Sequence, residues 1–289
     1  MEKMQQGKPT LRWRCLRTLL LCAGLYLLAC IGCASFQRRL IYFPTIFSAE
    51  KVDEMAVSEN LERWKTSAGK PIGWKRLSPR QPARGSVLVS HGNACCAFQC
   101  RRYVDAIQAS APFDVFIVEY PGYADCPGKP SEAALNGSAS EAFESLATAT
   151  PVYLIGESLG TGVAAHLAGK YPEKIGGIVL LAPYPRLADV AQAHIKIFPV
   201  RWMLSEHFPS EENLRNYRGP VAVLVGGKDT VVPQRFGRAL YERYAGPKRL
   251  WEFPNLDHDG LMDQPPGIWQ QIVEFWEMNQ RTPKISSSG

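Results

Sequence analysis

Three side chains far apart in the sequence have the types that nucleophilic acyl transfer needs: Ser158, Asp229 and His258. Ser158 is the centre of Gly156-Glu157-Ser158-Leu159-Gly160. This follows the apolar run Val152-Tyr153-Leu154-Ile155 and precedes Val163-Ala164-Ala165-His166-Leu167-Ala168. Strand, sharp turn and helix, in that order, is the context in which Gly-x-Ser-x-Gly carries chemical meaning. Such a turn strains the serine backbone and exposes its hydroxyl above the end of a buried strand. The helix starting directly behind it favours negative charge developing at its first turn.

A serine hydroxyl is a weak nucleophile at neutral pH. It needs a base, and the base needs an orienting acid. Behind a turn of this kind the acid and then the base follow along the chain, each in a loop after a later strand. Asp229 stands in Gly226-Gly227-Lys228-Asp229-Thr230-Val231-Val232-Pro233, directly after Val221-Ala222-Val223-Leu224-Val225. His258 stands in Asn255-Leu256-Asp257-His258-Asp259-Gly260, after a run ending at Phe253. Singly, an aspartate in a glycine-rich loop is usually a turn residue, and one histidine is usually structural. In this order, each just beyond a predicted strand, they are expected to form a Ser158–His258–Asp229 triad. Asp257 and Asp259 flank His258 too closely to orient it. His166 lies on the helix behind the serine, and His194 and His207 fall in an insertion. An oxyanion also needs N–H donors. One is expected from Leu159, the residue after the nucleophile. The second is expected from Asn93 in His91-Gly92-Asn93-Ala94, the turn after Val87-Leu88-Val89-Ser90. Gly92 would permit that turn, and a buried His91 would hold it through its ring hydrogen bonds.

The elements that must position these residues are legible as periodicity. Ser86–Ser90, Asp114–Val118, Val152–Ile155, Ile175–Leu181 and Val221–Val225 are apolar on consecutive positions, as parallel strands buried on both faces are. Leu250–Phe253 reads as a last strand. Helical patterns cover Tyr103–Ala109, Ser131–Thr148, Ser158–Lys170 and Ile268–Met278. Arg63–Thr66 and Ile72–Leu77 alternate around Ser67-Ala68-Gly69-Lys70 and read as a hairpin. The fold class is therefore α/β, a mostly parallel doubly wound sheet in one domain. Asp189 to about Arg218 interrupts the alternation. It reads either as a small helical cap over the carboxyl ends of the strands or as a plain pair of amphipathic helices. The chain divides into an N-terminal segment 1–39, a catalytic domain 40–280 with a cap at about 189–218, and a polar tail 281–289 expected to be disordered.

The N-terminal segment carries Lys3, Lys8, Arg12, Arg14 and Arg17, then Leu19–Phe36 without a charge, then Arg38 and Arg39. It reads as a membrane-spanning helix near the lower length limit. It reads also as a signal segment, a reading that gains from Leu27-Leu28-Ala29-Cys30, which resembles a lipoprotein processing box, with Gly32-Cys33 a second candidate. The basic flank argues against a buried helix of a soluble domain. Both main readings put the domain on a membrane, outside the cytoplasm on the periplasmic side. Leu40-Ile41-Tyr42-Phe43-Pro44 would lie at the membrane-proximal edge or pack onto the domain. The net charge of +6 is modest and concentrated near the N-terminus. No basic stripe interleaved with aromatics follows, so a nucleic-acid partner is not expected. Among the eight cysteines no Cys-x-x-Cys pair is twinned with another, so no metal site is expected. In an exported domain Cys126 could pair with Cys95, Cys96 or Cys100. No organic cofactor is signalled, and a monomer is expected.

Ser90-His91-Gly92-Asn93, Glu119-Tyr120-Pro121-Gly122-Tyr123, Gly156-Glu157-Ser158-Leu159-Gly160, Gly227-Lys228-Asp229-Thr230-Val231-Val232-Pro233 and His258 together resemble an α/β-hydrolase. Gly128-Lys129-Pro130-Ser131-Glu132, and Trp202-Met203-Leu204 with Glu206-His207-Phe208, extend the likeness. They point to the membrane-anchored branch that includes bacterial serine hydrolases and eukaryotic protein depalmitoylases. The resemblance covers about Leu40 to Met278. It implies the α/β-hydrolase fold with a cap and a serine hydrolase acting through an acyl-enzyme on a carboxylic ester or thioester, lipidic ones included. Where that branch has Gly-Tyr-Gly this chain has Gly122-Tyr123-Ala124, and the vicinal Cys95-Cys96 is a second departure. Two other functions compete. One is a catalytically silent lipid- or partner-binding protein, against which the intact set Ser158, Asp229 and His258 argues. The other is a serine exopeptidase, which would usually bring a propeller or a large cap.

Overall fold

The computed structural model describes residues 10–146 and 150–279. The tail expected to be disordered, 281–289, lies outside them. A helix, α1 (Leu11–Ile41), leads into α2 (Ala49–Ser58), the hairpin β1 (Glu62–Lys65) and β2 (Pro71–Arg76), and β3 (Ser86–Ser90). A short 3-10 turn at Ala97–Cys100 runs into α3 (Arg101–Ser110) and β4 (Asp114–Val118). Then come α4 (Glu132–Leu146), β5 (Val152–Glu157), α5 (Leu159–Lys170) and β6 (Ile175–Leu181). The excursion from β6 holds α6 (Leu187–His194), α7 (Val200–Met203) and α8 (Ser210–Asn213). The chain returns through β7 (Val221–Gly226), α9 (Gln234–Arg243), β8 (Lys248–Phe253), α10 (His258–Met262) and α11 (Pro266–Met278).

The strands form one eight-stranded sheet in the order β1-β2-β4-β3-β5-β6-β7-β8. β3 to β8 run parallel, and β1 and β2 are antiparallel additions at one edge. β5 and β7 are buried along their whole length, which their unbroken apolar runs require. The chain steps from β3 outward to β4, then back across β3 to β5. Right-handed crossovers therefore put α3 on one face and α4, α5 and α9 on the other. α3 packs against α11, while α4, α5, α8 and α9 pack in sequence. The reversal falls at the carboxyl ends of β3 and β5, the place where doubly wound sheets bind ligands.

The strands and main helices lie where their periodicity placed them. The insertion is three short helices rather than two. α2 and α9 had no counterpart in the periodicity. α1 continues to Ile41 without a break, and of the strip 40–44 Tyr42 packs onto the domain while Leu40 and Phe43 are exposed. All eight cysteines are free, so the pairing considered for Cys126 is not formed.

Candidate active site

β5 ends at Glu157, and α5 begins at Leu159. Ser158 alone makes the turn between them. It takes φ 50° and ψ −115°, a conformation L-residues rarely adopt. Its N–H is held by Leu181 O on the neighbouring strand at 2.9 Å. The turn closes onto the loop after β3, because a Cβ at Gly160 would stand 2.1 Å from Ser90 O and 2.6 Å from His91 O. Glycine at that position is a packing requirement.

Asp229 and His258 arrive from the ends of β7 and β8. His258 Nδ1 lies 2.7 Å from Asp229 Oδ2, and His258 Nε2 lies 3.1 Å from Ser158 Oγ. With the proton on Nδ1, that nitrogen donates to the carboxylate, and Nε2 is free to accept from the serine hydroxyl. The other carboxylate oxygen, Asp229 Oδ1, accepts from the N–H groups of Val231 at 2.9 Å and Val232 at 2.7 Å. The acid is thus fixed on both oxygens and almost wholly buried. Asp257 instead caps α10, its side chain accepting from the Gly260 N–H at 2.9 Å.

Leu159 is the first residue of α5, so its N–H has no partner within the helix. Asn93 lies in the loop after β3, beside the Ser158 turn. Its side chain faces away from that turn, toward the end of α1. Nδ2 donates to Ile41 O at 2.5 Å, and Oδ1 accepts from the Phe43 N–H at 3.0 Å and the Tyr123 hydroxyl at 2.8 Å. His91 is fully buried, bonded through Nδ1 to Gly92 O at 2.8 Å and through Nε2 to Glu119 Oε1 at 3.1 Å. Burial opposes its charge, but the Cys95 sulfur and the Glu119 carboxylate outweigh burial and push it up to about 10. Gly92 needs no left-handed backbone. A Cβ there would approach Glu157 Oε1 to 2.9 Å, so a larger residue would displace that carboxylate. Among the described residues, no cluster of three or more His, Cys, Asp or Glu side chains could hold a metal ion.

Comparisons with known proteins agree with this architecture. Residues 85–211 match the family model described as alpha/beta hydrolase fold. An uncharacterized protein of Mycobacterium tuberculosis is 32% identical over 231 residues, covering 78% of this chain and 81% of its own length. This chain belongs to the α/β-hydrolase superfamily. The lysophosphatidylserine lipase ABHD12 of Rattus norvegicus is 29% identical over 208 residues, which span 64% of this chain and 51% of that lipase. A solved esterase of Pyrococcus furiosus superposes with a TM-score of 0.62 at 15% identity, covering 83% of this chain and 99% of its own, a likeness of fold.

Two features of the chain are not legible in its sequence as structure. Ala124, where the membrane-anchored branch carries glycine, sits at φ 48°. A non-glycine residue there costs about 1–2 kcal/mol. The loop is held regardless, by Ala124 N–H donating to Thr45 O at 2.7 Å and Phe47 N–H donating to Ala124 O at 3.1 Å. The second feature is a carboxylate junction. Glu206, buried in the cap, accepts from Arg38 Nε at 2.7 Å, from the Tyr42 hydroxyl at 2.5 Å and from the Glu132 N–H. Glu132 in turn accepts from the N–H groups of His207 at 2.6 Å and Phe208 at 3.0 Å. Phe208 then packs on Gly162 of α5, where a Cβ would come within 2.8 Å of its ring. The end of α1, the start of α4 and the cap are joined through two carboxylates, and Phe208 carries the contact on to the helix behind Ser158. The motif residues were visible; that they are one cluster was not, since they come from segments far apart in the chain.

Proposed function

We propose that this chain is a serine hydrolase that cleaves carboxylic esters or thioesters through an acyl-enzyme. The observation that carries this is the hydrogen-bonded line Asp229 Oδ2 to His258 Nδ1, 2.7 Å, and His258 Nε2 to Ser158 Oγ, 3.1 Å. His258 Nε2 takes the Ser158 proton as Oγ attacks the carbonyl carbon. The imidazolium is stabilised by Asp229, whose own orientation is fixed by the Val231 and Val232 N–H groups. The tetrahedral oxyanion is held by the Leu159 N–H at the positive end of α5, with the Asn93 N–H as its partner. His258 then passes the proton to the leaving alkoxide or thiolate as the C–O or C–S bond breaks. Water, deprotonated by His258, repeats the attack and frees the acid and Ser158. The names of the relatives, a lipase and an esterase, support an ester as the substrate class.

The anchor is part of the proposal. Thr18 to Gln37 carries no charge, and as helix it spans about 30 Å, the thickness of the hydrocarbon core. With the basic N-terminal flank on the cytoplasmic side, the catalytic domain lies outside. Labelling with a fluorophosphonate probe tests the chemistry. Wild type is expected to label, and Ser158→Ala and His258→Ala are expected to lose labelling and about 10⁴-fold or more of ester turnover. Well-folded wild type that takes no label would end the proposal.

A further inference from the structure

The cap meets the anchor helix over a stretch that the catalytic reading does not use. Tyr26, in the middle of the uncharged part of α1, donates its hydroxyl to Ile197 O at 2.8 Å and stacks on Phe198 with centroids 5.8 Å apart. Nearer the domain, Gln37 accepts from the Ser205 N–H at 2.7 Å and donates to Met203 O at 3.4 Å. The segment 195–205 therefore runs back along α1. Tyr26 lies about 18 Å along the helix axis from Arg38, well inside the uncharged part.

This segment shows the two marks of a loop at membrane depth. It exposes Ile195, Ile197 and Trp202, the last 91% exposed, beside the exposed Leu25, Leu28 and Ile31 of α1. Four of its carbonyls are also covered by side chains of the protein. Gln192 Nε2 donates to Ile195 O at 2.8 Å and to Phe198 O at 3.0 Å, Tyr26 covers Ile197 O, and Gln37 covers Met203 O. Water would supply these bonds to an ordinary surface loop; at membrane depth the protein has to supply them. The two charges within 195–203 are Lys196 and Arg201. Arg201 also pairs with Asp189 at 2.9 Å.

We propose that the cap tip, residues 195–203, is inserted in the leaflet crossed by the domain-proximal half of α1, with Ile197 and Trp202 against acyl chains. The tip is tied to the candidate catalytic loop, because His194 Nε2 bonds to Val231 O at 2.9 Å, and Val231 also donates its N–H to Asp229. Resting on the proposed hydrolase reading, this makes the leaflet the source of the acyl chain: substrate enters sideways from lipid, under the cap.

The test is tryptophan quenching in full-length protein reconstituted in phosphatidylcholine vesicles brominated on the acyl chains. The emission that Trp202→Phe removes is expected to be the part that bromolipid quenches and aqueous acrylamide does not. If that emission is instead quenched by acrylamide and indifferent to bromolipid, the proposal is overturned. Ile197→Asp, with its melting curve checked against wild type, is expected to hydrolyse a long-chain ester held in vesicles about tenfold more slowly while keeping a water-soluble short ester within about twofold. Equal rates on the vesicle ester would overturn the route of entry. Quenching needs no turnover, so failure of Ser158 to label would remove the hydrolase reading and leave the insertion standing or falling by itself.

Discussion

At the scale of single residues the site depends on close approach. Ser158 is held at φ 50°, a strain of about 1–3 kcal/mol that the surrounding sheet sustains. Gly160 lets the Ser158 turn and the loop carrying Asn93 touch. Gly160→Ala would place a methyl 2.1 Å from Ser90 O, a rigid backbone atom. The expected outcome is a loss of about 3 kcal/mol or more in chemical denaturation, with labelling of Ser158 lost as the loop shifts. A variant as stable and as reactive as wild type would show that the two loops are not in contact. That Ser158, Asp229 and His258 would meet could be read in advance because chain order and strand ends constrain them. The use of the Asn93 side chain could not. An asparagine in a turn can bond in many directions, and only the folded chain brings Ile41, Phe43 and Tyr123 to it.

At the scale of elements the Glu206 junction decides how the cap and α1 are fixed to the sheet. Burial alone would raise the Glu206 carboxyl. Hydrogen bonds from Tyr42 and the Glu132 N–H, with the Arg38 guanidinium, outweigh burial and hold it below the usual carboxylate range. A carboxyl lowered in the folded state stabilises fully above its unfolded value of about 4.3, and that contribution is lost as pH falls through the lower folded value. Glu206→Gln is therefore expected to cost about 1–3 kcal/mol at neutral pH, with the gap to wild type closing in strongly acidic solution. Thermal melts of the two proteins across acidic pH would show this, and a gap that stays constant with pH would refute it. β3 to β7 were legible because each is apolar on both faces, and β1 and β2 because they alternate around a turn. α9 was not, since Gln234–Arg243 buries only Gly237 and Leu240 and is otherwise charged or half-exposed. α2 buries only Val52 and Ala56, too few for its period to stand out.

At the scale of the whole molecule the anchor has two readings, a spanning helix or a lipoprotein cut at Cys30 or Cys33, and they lead to different molecules. Cleavage before Cys30 would remove Tyr26 and with it the contact to Ile197 and Phe198, while Gln37, Arg38 and Tyr42 would remain. The proposed spanning helix predicts an unprocessed N-terminus in the intact mass of membrane-extracted protein. A mass starting at an acylated cysteine would replace it. The sequence by itself determined the class of the sheet, because backbone burial demands apolar runs. It also limited which serine, aspartate and histidine could meet, because a parallel sheet delivers strand ends to one edge. Only the tertiary structure decided that Glu132, Glu206, Arg38 and Tyr42 form one junction, and that the cap lies along α1. Those contacts join segments whose separation in sequence carries no period, and the buried Glu206 carboxylate needs the donors that only the folded chain brings to it.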